Sequence, residues 1–237
     1  MTTTRCWGVI PAAGLGRRLV SDVPKQYLEI DGRTLLEYSL DALLAHPAIT
    51  RIVVAIHAND ERATKLIGVN DPRVECVIGG AERSASVLAA LTAIQAVASD
   101  SDWVLVHDAA RPCLQLAELD ALISKVKATD TGGILAQPVV DTVKQASGDN
   151  LVVQTLDRRT LWRAQTPQMF RLGPLRDALV TAAEAGHDVT DEASAMELAG
   201  HPVQLVAGSS SNLKVTVAED LDLAQFYLRA AAAQVKK

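Results

Sequence analysis

Glycines and cations stand together soon after the first apolar segment of the chain. Residues 11–19 read PAAGLGRRL, and residues 24–26 read PKQ. Small residues and glycines let backbone N–H groups approach a phosphate chain, and Arg17, Arg18 and Lys25 add positive charge beside them. In a chain whose net charge is -5, such a cluster of cations indicates a polyphosphate site. The alternative is an ordinary strand-to-helix turn with solvated arginines.

Two familiar phosphate loops do not match this segment. The dinucleotide-binding fingerprint needs a third glycine where Leu19 stands, so Gly14 and Gly16 alone are weak evidence for it. The P-loop needs Gly-Lys-Ser or Gly-Lys-Thr after four intervening residues, and this combination is absent. A nicotinamide-dependent oxidoreductase is therefore disfavoured.

A carboxylate follows a second apolar segment. Residues 104–112 read VLVHDAARP, which places Asp108 just past a predicted strand. A carboxylate beside a triphosphate is suited to holding Mg²⁺, whereas the alternative is a structural ion pair with Arg111. We interpret His107 as a packed or hydrogen-bonded histidine, because attack by a phosphate oxygen needs no general base.

Further polar residues follow other predicted strands. The Gly79-Gly80 turn precedes Ser86, whose hydroxyl could hydrogen-bond a base edge. Residues 157–159 (DRR) form a cationic patch, and Lys214 lies in a loop before the last helix. Each of these features alone is also compatible with a plain turn or with solvated charge.

The elements that position these residues alternate along the chain. Continuous apolar strands with intervening helices are typical of a parallel sheet covered on both faces, and its ligands bind beyond the carboxyl ends of the strands. We predict strands over residues 7–12, 51–57, 74–78, 103–107 and 203–206, and helices over 34–46, 60–67, 82–97, 116–128, 173–186, 190–198 and 220–235. The predicted fold class is α/β, a Rossmann-like, mostly parallel sheet with helices on both faces. Thr190 is the expected N-cap of helix 190–198, and Thr216 with Glu219 is the expected capping box of the last helix.

Residues 138–162 break the alternation. Strand-like runs at 141–145 and 151–156 flank a polar turn, Ser147-Gly148-Asp149-Asn150, which is a hairpin signature. We predict one domain over residues 1–237 with 138–162 as an inserted β-arm that packs against another subunit. An edge hairpin on the main sheet is the alternative.

Composition excludes several classes of protein. With 49% hydrophobic and 22% charged residues, the chain is globular rather than disordered. Its net negative charge argues against nucleic acid and anionic membranes as partners, and its apolar runs fall short of a membrane helix. Cys6, Cys76 and Cys113 fit neither a disulfide framework nor a zinc motif. We predict a cytoplasmic protein.

Several segments together resemble one family, the 2-C-methyl-D-erythritol 4-phosphate cytidylyltransferases of the non-mevalonate isoprenoid pathway. In chain order they are PAAGLGRRL with PKQYL, GGAERSASV, VHDAARP, DTVKQ, LDRRTLWRAQTPQMF, VTDEASAMELAG and NLKVT. They span the chain nearly end to end. The resemblance implies a nucleotidyltransferase fold, CTP and a small sugar-alcohol phosphate as substrates, and pyrophosphate as a product.

The resemblance also implies roles for individual residues. Arg18 and Lys25 would stabilise the transition state at the α-phosphorus, and Asp108 would bind Mg²⁺ or another divalent cation. The second substrate would be positioned by Arg158, Lys214, Thr142 and Thr190. The nucleotide would be bound at Ala12, Ala13, Gly14, Gly16, Gly80, Ala81, Ser86 and Ala109. The family resemblance implies a homodimer whose β-arm reaches into the partner's active site.

Three positions depart from the family pattern. Ser211 stands where the family usually has an acidic residue that is thought to contact substrate hydroxyls, so we expect Ser211 to alter affinity or discrimination for the second substrate. Ala81 replaces a frequent aspartate, and Leu19 replaces a frequent methionine of similar volume. A cytidylyltransferase for ribitol 5-phosphate or another sugar phosphate, and a catalytically silent nucleotide-binding regulator, are the alternative functions.

Overall fold

The chain folds around the predicted α/β sheet, which a computed structural model describes for residues 4–14, 23–67 and 71–235. In chain order the strands are β1 (Cys6–Pro11), β2 (Glu29–Ile30), β3 (Arg33–Thr34), β4 (Ile49–Ile56), β5 (Val74–Ile78), β6 (Trp103–Val106), β7 (Gly133–Pro138), β8 (Val143–Ala146), β9 (Val152–Leu156), β10 (Trp162–Arg171) and β11 (Gln204–Ala207). The helices are α1 (Leu35–Leu44), α2 (Glu61–Ile67), α3 (Arg83–Gln95), α4 (Leu116–Thr129), α5 (Leu172–Glu184), α6 (Glu192–Leu198) and α7 (Ala218–Val235). Short 3-10 turns cover Lys25–Tyr27 and Arg158–Thr160.

The main sheet has the strand order β11-β7-β10-β6-β1-β4-β5. All neighbours are parallel except that β10 runs antiparallel to both β6 and β7. The prediction of a mostly parallel sheet is therefore confirmed. After β1 the chain first builds outward through β4 and β5, then returns to place β6 on the other side of β1. The carboxyl ends of β1 and β6 form the crevice where ligands of such sheets bind.

Helices cover both faces of the sheet because the central strands are apolar on both sides. On β1, Ile10 faces a core shared with α1 and α4, whereas Val9 faces a second core shared with α3, α5 and α6. Leu36 and Leu91 are fully buried representatives of the two cores. Burying one such side chain contributes about 1.5–3 kcal/mol, so these layers hold the strand ends in fixed positions.

Two helix starts differ from the prediction. The N-cap of α6 is Asp191 rather than Thr190, since an Asp191 carboxylate oxygen accepts from Ser194 N at 2.9 Å. Before α7, Thr216 is bonded by Asp220 and not by Glu219: Asp220 Oδ2 accepts from Thr216 N at 2.8 Å and from its hydroxyl at 2.7 Å. For α6 the capping residue lies one position further along the chain than predicted, and before α7 the carboxylate that reaches back to Thr216 likewise lies one position further along.

The predicted hairpin forms as a separate two-stranded sheet of β8 and β9. Its turn is closed by Ser147 N, which donates to Leu151 O at 2.9 Å, and Asn150 adopts a left-handed φ of 60°. The alternative of an edge hairpin on the main sheet is wrong. Within the described ranges, every helix is too short or too polar to span a lipid bilayer.

Candidate active site

A cavity of about 410 Å³ opens beyond the carboxyl ends of β1, β5 and β6. This is the edge of the sheet at which the sequence predicts ligand binding. The lining includes many of the predicted site residues: Ala12, Ala13, Gly14, Lys25, Gly80, Ala81, Ser86, Asp108, Ala109 and Lys214. Gly16 and Arg18 lie outside the described residues.

The end of β1 supplies backbone to the cavity. Ala12 and Ala13 are buried, and Ala12 N donates to Ala55 O at 2.7 Å, which extends the β1–β4 pairing by one residue. Gly14 follows at the cavity wall, and a Cβ built on it meets no heavy atom of the described residues within 4 Å. Packing against the described part of the chain therefore gives no reason for a glycine at position 14.

The second glycine turn is required by packing. A Cβ on Gly79 would lie 2.8 Å from Ala13 Cβ, and one on Gly80 would lie 2.4 Å from Ala85 Cβ. Ser86 Oγ accepts from Gly80 N at 3.2 Å and donates to Glu82 O at 3.0 Å. The glycines let α3 begin directly against the end of β1, and Ser86 fixes the turn between them.

Asp108 is the centre of the charges in the cavity. Its carboxylate lies 3.0 Å from Arg83 Nε, 2.9 Å from Lys214 Nζ and 3.6 Å from Arg111 Nε. Burial alone would raise the pKa of Asp108, but Arg83, Lys214 and Arg111 outweigh burial and hold that pKa well below its usual range. Asp108 is therefore ionised and joins three segments that are distant in sequence.

Arg83 connects Asp108 to a second buried carboxylate. Its guanidinium binds Glu192 through two contacts, Nη1 to Oε1 at 2.6 Å and Nη2 to Oε2 at 3.0 Å. Glu192 is completely buried at the first turn of α6. Burial opposes the charge on Arg83, yet Glu192 and Asp108 together raise the pKa of this arginine. A forked, charge-assisted pair of this kind fixes the guanidinium in orientation as well as in position.

His107 is buried and hydrogen-bonded, as the sequence interpretation expects. Its Nε2 lies 3.1 Å from Arg111 O and its Nδ1 lies 3.0 Å from the Thr166 hydroxyl. The carbonyl can only accept, so Nε2 carries the proton, and the Thr166 hydroxyl donates to Nδ1 while it accepts from Asp108 N at 3.0 Å. Burial lowers the pKa of His107 to about 4. His107 is therefore neutral, and it orients the Thr166 hydroxyl that holds the backbone N–H of Asp108.

The loop that presents Lys214 is anchored beneath the cavity. The buried Asn212 donates from Nδ2 to Thr166 O at 2.8 Å, and Asn212 O accepts from Arg111 Nη1 at 2.7 Å. One residue beyond Lys214, Val215 N donates to Ala110 O at 2.8 Å. Lys214 thus extends from a segment that is held on both sides.

These observations can be compared with known proteins. The family model of 2-C-methyl-D-erythritol 4-phosphate cytidylyltransferase (IspD) matches residues 6–230. The chain belongs to this family. It is 50% identical over 230 residues to the 2-C-methyl-D-erythritol 4-phosphate cytidylyltransferase of Photobacterium profundum, across 95% of this chain and 97% of that relative.

Solved structures agree with this assignment. A 4-diphosphocytidyl-2C-methyl-D-erythritol synthase superposes with a TM-score of 0.83 at 36% identity, over 95% of this chain and 99% of that one. The 2-C-methyl-D-erythritol 4-phosphate cytidylyltransferase of Francisella tularensis gives a TM-score of 0.80 at 37% identity, over 94% and 100%. The IspD fold is therefore the fold of this chain.

Three residues that the IspD resemblance marks lie away from this cavity. Thr142, Arg158 and Thr190 are exposed, and none of them lines it. Arg158 Nη1 donates instead to Val140 O at the base of the arm. Within one chain, the structure does not bring these three residues together with Lys214.

Ser211, the position at which this IspD chain lacks the usual acidic residue, is also outside the cavity lining. It is buried, and its hydroxyl lies 2.8 Å from Ser209 Oγ and accepts from Gln115 Nε2 at 3.4 Å. The serine is thus satisfied by neighbouring polar groups of its own loop and of the start of α4.

Sequence reasoning missed Arg83 and Glu192 as members of the IspD site. The signal for Arg83 was its place within the second glycine turn, between Gly80 and Ser86. The signal for Glu192 was a second carboxylate next to Asp191, since one carboxylate suffices to cap α6. The contact between them joins residues 109 positions apart, so no local pattern reports it.

Proposed function

We propose that this chain transfers the cytidylyl group of CTP to the phosphate of 2-C-methyl-D-erythritol 4-phosphate, forming 4-diphosphocytidyl-2-C-methyl-D-erythritol and pyrophosphate. Family membership supports the reaction, and the cavity around Asp108 supports its location. The observation that carries the proposal is the meeting of Lys25, Asp108 and Lys214 at the strand-end backbone of β1 and β6.

The proposed step is direct in-line displacement at the α-phosphorus. A phosphate oxygen of the second substrate forms the new P–O bond while the bond to pyrophosphate breaks. The nucleophile is already an anion, so the obstacle is repulsion between two anions and charge growing on the phosphoryl oxygens. Lys25 and Arg18 would meet that charge. The neutral, enclosed His107 is consistent with a step that needs no general base.

The cytosine is proposed to lie against the second glycine turn and Ala109. A serine hydroxyl has one proton and two lone pairs. Ser86 already uses its proton toward Glu82 O and one lone pair toward Gly80 N. The remaining lone pair can accept from an amino group of the base, which cytosine has and uracil lacks.

A divalent cation is proposed as the cofactor, with Asp108 as its protein ligand. Mg²⁺ is commonly held by one or two carboxylates together with substrate phosphates. No cluster of three potential metal ligands occurs among the described residues, which suits a cation held mainly by the triphosphate. An ionised carboxylate has about four acceptor positions, and of the described cations only Arg83 and Lys214 approach Asp108 within hydrogen-bond distance, so positions remain for a contact to the cation. When bound, Mg²⁺ would neutralise part of the triphosphate charge.

The acceptor phosphate is proposed to be bound by Lys214 together with Arg158, Thr142 and Thr190. Of these residues, Arg158 and Thr142 would come from the arm of a second copy. The arm exposes the apolar side chains of Leu151, Val152 and Val153, and exposed apolar side chains grouped on a projecting hairpin favour burial against a partner. A homodimer in which each arm reaches the other chain's cavity would bring Arg158 to Lys214.

The cytoplasm is the proposed compartment. Cys6, Cys76 and Cys113 are all free thiols, and reduced cysteines are typical of cytosolic proteins.

The test is pyrophosphate release from CTP and Mg²⁺ with each acceptor supplied separately. We expect turnover with 2-C-methyl-D-erythritol 4-phosphate and at most slow release with ribitol 5-phosphate. Binding of CTP without pyrophosphate release from either acceptor would show a silent nucleotide-binding protein. Faster turnover with ribitol 5-phosphate would contradict the proposed acceptor.

A further inference from the structure

The turn that presents Lys25 is held in place by two of its own side chains, those of Gln26 and Tyr27. Lys25–Tyr27 forms a single 3-10 turn, in which Leu28 N donates to Lys25 O at 3.1 Å. Lys25 and Gln26 both line the cavity, and the side chains of Gln26 and Tyr27 are buried with 4% and 6% of their surface exposed. A turn this short has little stability of its own, so these two side chains help to hold its position.

Gln26 attaches the turn to β1. Its Nε2 donates to Ala12 O at 2.8 Å, and Ala12 is itself held by its bond to Ala55 O of β4. Ala12 is also one of the backbone positions proposed to contact the nucleotide. Gln26 therefore connects the backbone that would bind CTP to the turn that presents Lys25.

Tyr27 attaches the turn to the loop between β4 and α2. Its hydroxyl donates to Asp60 Oδ2 at 2.6 Å. Asp60 Oδ1 in turn accepts from Arg62 N at 3.0 Å and from Ala63 N at 3.1 Å, which caps α2. Burial, and then the neighbouring Asp60, raise the pKa of Tyr27, so the hydroxyl remains a donor at neutral pH.

We propose that Gln26 and Tyr27 are positioning residues that fix Lys25 beside the carboxyl end of β1, where the reacting phosphate would lie. The proposal rests on the role of Lys25 in the proposed function. A lysine carries its charge on a long, flexible stem, so the position of its backbone limits where the ammonium can be held. Displacing a catalytic group by about 1 Å can cost on the order of a hundredfold in rate.

The first test is Tyr27→Phe, which keeps the buried ring and removes only the hydroxyl. Because Lys25 is proposed to act in the transition state, we expect kcat for pyrophosphate release to fall about tenfold or more, while KM for CTP changes less than about threefold. Tyr38→Phe is the matched control, since the Tyr38 hydroxyl donates to Ile30 O at 3.1 Å away from the cavity. Equal kcat values in Tyr27→Phe, Tyr38→Phe and the unaltered enzyme would overturn the proposal.

The second test is a double-mutant cycle with Lys25→Ala. Lys25→Ala alone should lower turnover by about two orders of magnitude. If Tyr27 acts through Lys25, adding Tyr27→Phe to Lys25→Ala should lower the remaining turnover no further. Losses that multiply would overturn the positioning role and leave the role of Lys25 intact. Near-normal turnover of Lys25→Ala itself would overturn the proposed function of Lys25, and the positioning role with it.

A third variant tests the other attachment independently of Tyr27. Gln26→Met has a similar length and volume but no donor for Ala12 O. We expect the same loss in kcat, and again no further loss in the Lys25→Ala background. Unchanged kcat in folded Gln26→Met would limit the positioning role to Tyr27 and overturn the proposal for Gln26.

Discussion

Asp108 and His107 are consecutive residues with opposite electrostatic surroundings. Asp108 faces Arg83 and Lys214 at contact distance, whereas His107 points into the protein between Thr166 and Arg111 O. The same strand end therefore presents a permanent anion to the cavity and a neutral ring to the interior. This division keeps Asp108 ionised beside the cations of the cavity, while His107 orients the Thr166 hydroxyl that holds the Asp108 backbone in place.

The protonation of His107 predicts a pH dependence of stability. Its pKa is about 4 in the folded protein and 6.5 as the ordinary value, so between these pH values only the unfolded chain takes up this proton. Stability is full above pH 6.5 and falls as the pH drops toward 4, by about 3 kcal/mol in total. Asp108 contributes outside this window, because its stabilisation is lost only below its ordinary pKa of 3.8.

Urea unfolding at pH 7 and pH 4.5 would measure this loss, with His107→Asn compared against His187→Asn, an exposed histidine. The expected result is a smaller pH dependence in His107→Asn alone. Titration of the imidazole resonances by NMR is a second readout that does not need the variant to fold. An ordinary pKa near 6.5 for His107 would contradict this account.

The sequence identified the residues whose surroundings are local. Asp108 is recognisable because it follows an apolar strand directly, and Lys214 because it follows Asn212 in a loop. Arg83 and Glu192 are recognisable only through each other, and their contact depends on how α3 and α6 pack against the same face of the sheet.

At the scale of elements, the two glycine turns serve different purposes. The turn after β5 needs its glycines for close packing of α3, whereas a Cβ added to Gly14 after β1 would meet no atom of the described residues within 4 Å. No packing constraint from the described residues therefore explains Gly14, and the proposed reason for this glycine is space for the phosphate chain.

This difference predicts opposite outcomes for two alanine substitutions. Gly80→Ala should lower stability by about 1–3 kcal/mol because its Cβ overlaps Ala85. Gly14→Ala should leave the melting temperature unchanged and raise KM for CTP, because the added methyl group would occupy space next to the proposed phosphate site. Thermal melts with and without CTP separate the two effects. A large loss of stability in Gly14→Ala, or unchanged KM, would be inconsistent with the proposed phosphate contact.

Strand β10 shows what the sequence could not predict about the fold. Its residues 162–171 read WRAQTPQMFR, and a proline with several polar residues argues against a central strand. The pairing with β7 shifts register between Ala164 and Gln168, which accommodates Pro167. Gln168 is satisfied on both sides by α6, since its Nε2 donates to Asp191 Oδ2 at 2.8 Å and its Oε1 accepts from Ala193 N at 2.9 Å. The strands predicted correctly are those whose apolar runs need no such distant partners.

At the scale of the whole molecule, one chain separates the residues proposed to bind the acceptor. Lys214 lies in the cavity, and Arg158 lies on the arm with its guanidinium turned to Val140 O. The proposed homodimer would unite them across the interface between two copies.

Complementation between two inactive variants tests this arrangement. Lys214→Ala and Arg158→Ala should each have little activity as homodimers. If the arm serves the partner's cavity, co-expression should yield mixed dimers with one intact site, and about a quarter of normal activity overall for random pairing of twofold-symmetric subunits. The control is a variant that carries both substitutions and is expressed alone, because its dimers contain no intact site and give the background activity. Absence of any recovery in mixed dimers would place Arg158 in its own chain's site or outside the site altogether.

A crystal structure of the protein with CTP and Mg²⁺ tests the central claim most directly. The account predicts the triphosphate between Lys25 and Asp108 beyond β1, with the cytosine against Gly80 and Ser86. Nucleotide bound at another surface, or an empty cavity at saturating CTP, would contradict it.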